Sequence, residues 1–219
     1  MINSLYINNG AEAKLKGDMT NIICSGAILA GGQNKRFNGA NKAFLNINGR
    51  KMLDKIYSIF KVVFNETILV TNNPEEYLNR DLTIVSDIFS VRSSLTGIHA
   101  ALFYANNPFV FISACDTPFL KKELVELIVK QTEPNIDAVI PETKAGLEPL
   151  CAVYSRKCLK CIEQNILQDK LKIQGILSKI RIKTIPEEIL READKNLISF
   201  FNINSPADLE SAKKLFTDN

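Results

Sequence analysis

The chain lacks any apolar run long enough to cross a bilayer, any hydrophobic stretch in its first twenty residues, any block of like charge and any paired-cysteine framework. The first absence excludes a membrane-spanning helix, which needs about 20 consecutive apolar residues. The second excludes a secretory signal, since residues 1–20 carry polar Asn, Glu, Lys and Asp where a signal has its apolar centre. Net charge is only +3, with lysines and arginines scattered, so no electrostatic footprint argues for DNA or RNA. Cys24, Cys115, Cys151, Cys158 and Cys161 are odd in number and follow no disulfide spacing, which fits a reducing compartment and a cytoplasmic protein. Repeats and low-complexity tracts are also missing.

What is present is a chain of 219 residues, 46% hydrophobic and 23% charged, enough for one substantial core. The expectation is a single domain over residues 21–219, preceded by a weakly ordered extension over residues 1–20 in which Met19 is a possible alternative start. Strand and helix patterns alternate. "IICSGAILA" reads as a buried strand, apolar on both faces. "KMLDKIYSIFKVVF" places Met52, Leu53, Ile56, Ile59, Phe60 and Val63 at helical spacing. "TILVT", "LTIV" and "FVFISA" are strands, and "LTGIHAALFYA" and "KKELVELIVKQ" helices. Further on, "DAVIP" and "CAVYS" pair around a turn, residues 158–179 read as helix, and "RIKTI" and "FFNIN" as strands. Ser205, Pro206 and Asp208 then open a last helix with a capping box. The fold class expected is α/β: a three-layer α/β/α Rossmann-like fold with a mostly parallel central sheet.

Chemistry collects at the strand ends. After the first strand, Gly31-Gly32 turns into a loop bearing Lys35, Arg36 and Lys42, which suits an anion at the carboxyl edge of an α/β sheet. Two familiar phosphate loops do not fit. No G-x-G-x-x-G occurs, and Gly39 is followed by Ala40 and Asn41 before Lys42, which breaks the Walker A spacing. "FVFISACDTPFL" delivers Asp116 just past a strand that Pro118 ends, a placement suited to Mg²⁺, which takes one or two protein carboxylates and fills its shell with water and phosphate oxygens. "TIVSDIF" places Asp87 similarly. A basic loop with two strand-end aspartates describes a metal–nucleoside triphosphate site.

These segments carry a resemblance. LAGGQNKRFNGANK resembles the L-A-G-G-x-x-x-R-(M/F)-G-x-D-K signature of the molybdenum cofactor guanylyltransferases, within the Mg²⁺-dependent nucleotidyltransferases, and "TILVTNN", "VSDIF", "SLTGIHAAL", "CDTPFL", "EPLCAVY" and "FFNINSPADL" follow in that family's order. The resemblance implies a nucleotidyltransferase fold and transfer of GMP from GTP to the phosphate of molybdopterin, with Mg²⁺ as cofactor and pyrophosphate as product. It implies nucleotide contacts at Leu29, Ala30, Gly31, Gly32, Lys42, Thr71, Asn73, Asp87 and Asp116, catalytic roles for Arg36, Lys42 and Asp116, and the metal on Asp116. Partner proteins of cofactor biosynthesis and apo-molybdoenzymes are implied too. No histidine base is needed, because the attacking phosphate is already largely ionised near neutral pH.

The sequence departs from the pattern at three places: Asn41 replaces the family's Asp before the lysine, Ser94-Leu95-Thr96-Gly97 replaces a G-P-L-A-G loop, and Glu148 stands where some relatives have His. Plainer readings exist for single residues. Gly31-Gly32 alone is a tight turn, Asp116 alone a cap for the next helix, and Asp87 a turn residue. Cys158 and Cys161 read as helix residues, His99 as a packing side chain, Cys115 as a small buried hydrophobe, and Glu148 as a loop acid. Rival functions are CTP transfer to molybdopterin, NTP transfer to a sugar phosphate, and a non-catalytic nucleotide or cofactor carrier.

Overall fold

A computed structural model describes residues 24–31, 41–78 and 82–215. Expectations for residues 1–20, Gly32 and Arg36 therefore lie outside the described residues. The central sheet contains β1 (Cys24–Leu29), β4 (Thr67–Val70), β5 (Thr83–Val85), β6 (Phe109–Ala114), β7 (Ala138–Thr143), β8 (Gly146–Leu147), β9 (Cys151–Ser155) and β10 (Ile182–Pro186). Their order is β10-β7-β9-β6-β1-β4-β5, with β8 paired to β7. β1 runs parallel to β4 and β6, as β4 does to β5 and β7 to β10, whereas β9 is antiparallel to both neighbours. β2 (Asn46–Ile47) and β3 (Arg50–Lys51) form a separate hairpin.

Side chains along each strand alternate between two cores, as the two-residue repeat of a strand requires. Ala27, Ile68, Val70, Val110, Ile112, Ala152 and Tyr154 pack with α2 (Ser94–Tyr104), α4 (Leu159–Leu167) and α5 (Gln174–Leu177) on one face. Ile28, Leu69, Phe111 and Val153 pack with α1 (Met52–Val63), α3 (Lys122–Lys130) and α6 (Glu187–Ala193) on the other. This is the three-layer α/β arrangement expected. Close packing dictates glycine at position 26, where a Cβ would lie 2.5 Å from Phe60 Cδ1 and overlap Phe64 as well. α7 (Pro206–Lys214) opens with the capping box of Ser205 and Asp208.

Two expectations are corrected. Residues 158–179 are not one helix: α4 ends at Leu167, Asp169 adopts φ 56°, and the chain resumes helix only at α5. "FFNIN" is not a strand. Its Ile203 N–H donates to the backbone carbonyl of Asp116 at 2.9 Å, so the segment crosses the end of the sheet instead of joining its ladder.

Candidate active site

β1 leaves the sheet between β4 and β6, and its exit is pinned from both sides: Ala30 N–H donates to Val70 O at 2.8 Å, and Cys115 N–H donates to Leu29 O at 3.0 Å. The chain passes from β1 through α1 to β4 on one side of β1, and returns through α2 to β6 on the other. Ligands of open α/β sheets bind where the connections diverge in this way. A cavity of about 500 Å³ lies there, lined by Leu29 at the end of β1 with Ala30 and Gly31 just after it, by Lys42, and by Asp87 and Asp116 beyond the ends of β5 and β6. Positions 29 and 116 are far apart in sequence, but the parallel register puts Leu29 beside Ala114.

Asp116 is the most demanding group in the cavity. Its Oδ2 lies 3.7 Å from Lys42 Nζ, while its buried Oδ1 has no hydrogen-bond partner among the described residues. Burial pushes this carboxyl above its ordinary range, and the Lys42 ammonium pulls it back. Asp116 caps no helix, because α3 begins only at Lys122 with Lys121 as its N-cap. A buried carboxylate oxygen without a donor suits a hard cation that completes its shell with water and phosphate oxygens. No group of three His, Cys, Asp or Glu side chains forms a metal cage among the described residues. Neighbouring Cys115 has its thiol pushed up to about 12, first by burial and then by the Asp116 carboxylate, which makes it inert as a nucleophile.

On the opposite wall, Asp87 Oδ2 accepts from Asn72 Nδ2 at 2.8 Å and from Thr96 Oγ1 at 3.3 Å, beside the N-terminus of α2. Ser93 and Thr96 cap that helix reciprocally. Asn72 also lies 3.6 Å from the place a Cβ on Gly31 would occupy. Thus Asn72, just past β4, is the side chain that holds Asp87 from behind, whereas Thr71 is 1% exposed and accepts from Asn73 N–H at 3.2 Å. None of Thr71, Asn72 and Asn73 is among the cavity-lining residues.

Sequence reasoning also passed over Asn204 and Arg92, both of which line the cavity. Asn204 Oδ1 accepts from Lys42 Nζ at 3.0 Å, and its backbone N–H is held by Asp208 Oδ2 at 2.9 Å. Its signal was the "NINSP" ahead of the capping box; Arg92 carried none. His99, Cys158, Cys161 and Glu148 are not cavity-lining residues. His99 is buried on α2 with Nε2 3.1 Å from Glu163 Oε1 and its ring against Phe89.

The MobA-like NTP transferase domain model matches residues 26–183. The chain belongs to the MobA-like NTP transferase family. A molybdenum cofactor guanylyltransferase from Desulfosudis oleivorans is 46% identical over 189 residues, covering 86% of this chain and 94% of the relative. The crystal structure of molybdopterin-guanine dinucleotide biosynthesis protein A from Archaeoglobus fulgidus superposes with a TM-score of 0.80 at 32% identity, covering 89% of this chain and all of that one. A 2-C-methyl-D-erythritol 4-phosphate cytidylyltransferase from Thermus thermophilus shares the fold at TM-score 0.63 and 17% identity, covering 87% and 97% of the two chains. The MobA-like match ends within β10, so the segment that brings Asn204 to Lys42 lies beyond it. No described helix is long and apolar enough to cross a membrane.

Proposed function

We propose that this MobA-like nucleotidyltransferase transfers GMP from GTP to the phosphate of molybdopterin and releases pyrophosphate. The observation that carries the reading is the convergence of Lys42 and Asp116 at the switch point of the sheet, with one Asp116 oxygen buried and lacking a donor. The 46% identical guanylyltransferase supports the choice of nucleotide and acceptor. Attack of a phosphate oxygen on the α-phosphorus needs positioning and charge neutralisation more than covalent help. Lys42 supplies a fixed cation for the triphosphate. Gly31 permits close approach of the nucleotide, since neither its φ nor its neighbours require glycine there. Asp87, held by Asn72 and Thr96, offers a fixed acceptor for nucleotide hydroxyl or amino groups.

Asp116 would hold Mg²⁺ through the oxygen that lacks a protein donor. Bound there, the ion supplies neutralisation of the phosphates during transfer. Arg36 adds a second cation to this proposal on the strength of its place in the loop sequence. The test is pyrophosphate release by the purified protein with Mg²⁺ and molybdopterin, given GTP or CTP separately. Release with GTP alone is expected; release with CTP alone would replace the product, and release with neither would overturn the reading. Asp116→Asn is expected to lower turnover by roughly 100-fold or more while circular dichroism stays native. Activity like the wild type would remove Asp116 from the metal role.

A further inference from the structure

Lys42 reaches the cavity from a short 3₁₀ turn, Lys42–Phe44, whose N-cap is Asn41. The Asn41 amide is fully committed. Its Oδ1 accepts from Ala43 N–H at 3.0 Å, and its two N–H groups serve Glu76 Oε2 at 2.6 Å and Tyr77 Oη at 2.7 Å. Glu76 and Tyr77 lie in a second 3₁₀ turn, Pro74–Tyr77, which follows β4. That turn is itself anchored to the end of the strand: Glu76 Oε1 accepts from Asn73 Nδ2 at 3.3 Å, and Asn73 N–H donates to Thr71 Oγ1. The Tyr77 ring is 1% exposed and sits 5.0 Å from the ring of Phe44, centroid to centroid. Two loops from different strands therefore meet through one amide.

We infer that Asn41, Glu76 and Tyr77 form a clamp in which Glu76 and Tyr77 are positioning residues for Lys42, and that the amide at position 41 is the necessary match to the Glu76 carboxylate. Its effect on nucleotide binding rests on the reading of the cavity as a nucleotide site. A carboxylate at position 41 would still accept from the Tyr77 hydroxyl and from Ala43 N–H. Against Glu76, however, it would set two acceptors with like charge at hydrogen-bond distance, which is repulsive. The turn carrying Lys42 would then be pushed off the turn carrying Tyr77. Changing Glu76 to Gln would restore a donor opposite that carboxylate.

The test is a two-residue cycle read by calorimetric binding of Mg²⁺–GTP and by amide hydrogen exchange without nucleotide. N41D is expected to weaken Mg²⁺–GTP binding about tenfold, through like-charge repulsion at the clamp, and N41D/E76Q to recover most of that loss. E76Q alone keeps an acceptor for Asn41 and is expected to weaken binding by less than about threefold. The Leu45 amide, bonded to Lys42 O at 3.0 Å, reports the turn itself. Its exchange is expected to speed up in N41D and to slow again in the double variant. N41D binding as well as the wild type, or a double variant no better than N41D, would overturn the clamp. If the wild type binds no Mg²⁺–GTP, the nucleotide reading falls, and the exchange of Leu45 alone decides the clamp: unchanged exchange in N41D overturns it.

Discussion

Lys42 illustrates how single residues acquire their chemistry from neighbours. Its ammonium donates to Asn204 and stands within ion-pair distance of Asp116, so its position depends on two segments remote in sequence. Removing it leaves a buried carboxylate less compensated and, under the proposed function, takes away the fixed cation for the triphosphate. Lys42→Ala is expected to weaken Mg²⁺–GTP binding by about 1.5–3 kcal/mol, the range of a charge-assisted hydrogen bond, measured by calorimetry. Unchanged affinity would mean that the loop serves the fold alone. At this scale the sequence was legible where one residue type has one use: Leu29, Ala30, Gly31, Lys42, Asp87 and Asp116 line a single cavity. It was less legible after β4, where three consecutive polar residues, Thr71, Asn72 and Asn73, compete and only the tertiary structure shows that Asn72 is the one bonded to Asp87.

Among elements, β1 and β10 show how a strand is fixed by what touches it. β1 packs so closely on α1 that Gly26→Ala would force Phe60 and Phe64 away from Phe111, against which both rings pack. A cost of roughly 1–3 kcal/mol is expected from overpacking, read as a lowered midpoint in chemical denaturation. β10 is at one edge of the sheet, and its approach is held by Arg181, which donates through Nε and Nη2 to the two oxygens of Asp137 at 3.1 and 2.9 Å. The hydrogen bonds from the Arg181 side chain hold the Asp137 carboxyl below its ordinary range. A carboxyl lowered in the folded state stabilises above its unfolded value, and that stability is lost as pH falls toward the folded one. Asp137→Asn is therefore expected to flatten the fall in Tm below about pH 5, where unfolded carboxyls begin to protonate. An unaltered acid slope would assign it to other groups.

Across the whole molecule, the residues from α6 to α7 act as a strap over the carboxyl end of the sheet. Asp194 is fully buried, pairs with Lys121 Nζ at 2.9 Å and accepts from Ser199 N–H at 2.8 Å. Lys121 N–H donates to Ser199 Oγ at 3.0 Å, and Ile203 N–H donates to Asp116 O. The loop bearing Asp116 and the segment bearing Asn204 are thus tied at several points, behind and beside Lys42. Lys121→Met would leave the Asp194 charge buried without its cation. A loss of roughly 2–3 kcal/mol is expected, with part of it recovered when Asp194→Asn is added, both by denaturant titration. Equal stability of Lys121→Met and the wild type would deny the pair that role.

The sequence by itself determined the elements whose reasons are local. β1 and β6 are apolar on both faces, α1 has its 3.6-residue repeat, and α7 has its Ser205 and Asp208 capping box. It also held a hairpin signal that went unread: Asn48 and Gly49 both have positive φ in the turn between β2 and β3, as an Asn-Gly turn prefers. Tertiary structure alone decided what depends on distant partners. A helical pattern over residues 158–179 breaks at Asp169 to let α4 and α5 both face one core, and the β-like "FFNIN" gives its Ile203 N–H to the Asp116 loop. The same holds for Asn204, which meets Lys42 across 162 positions of sequence. Local propensity is a weak force beside packing, and no periodicity records which loop a chain will cross.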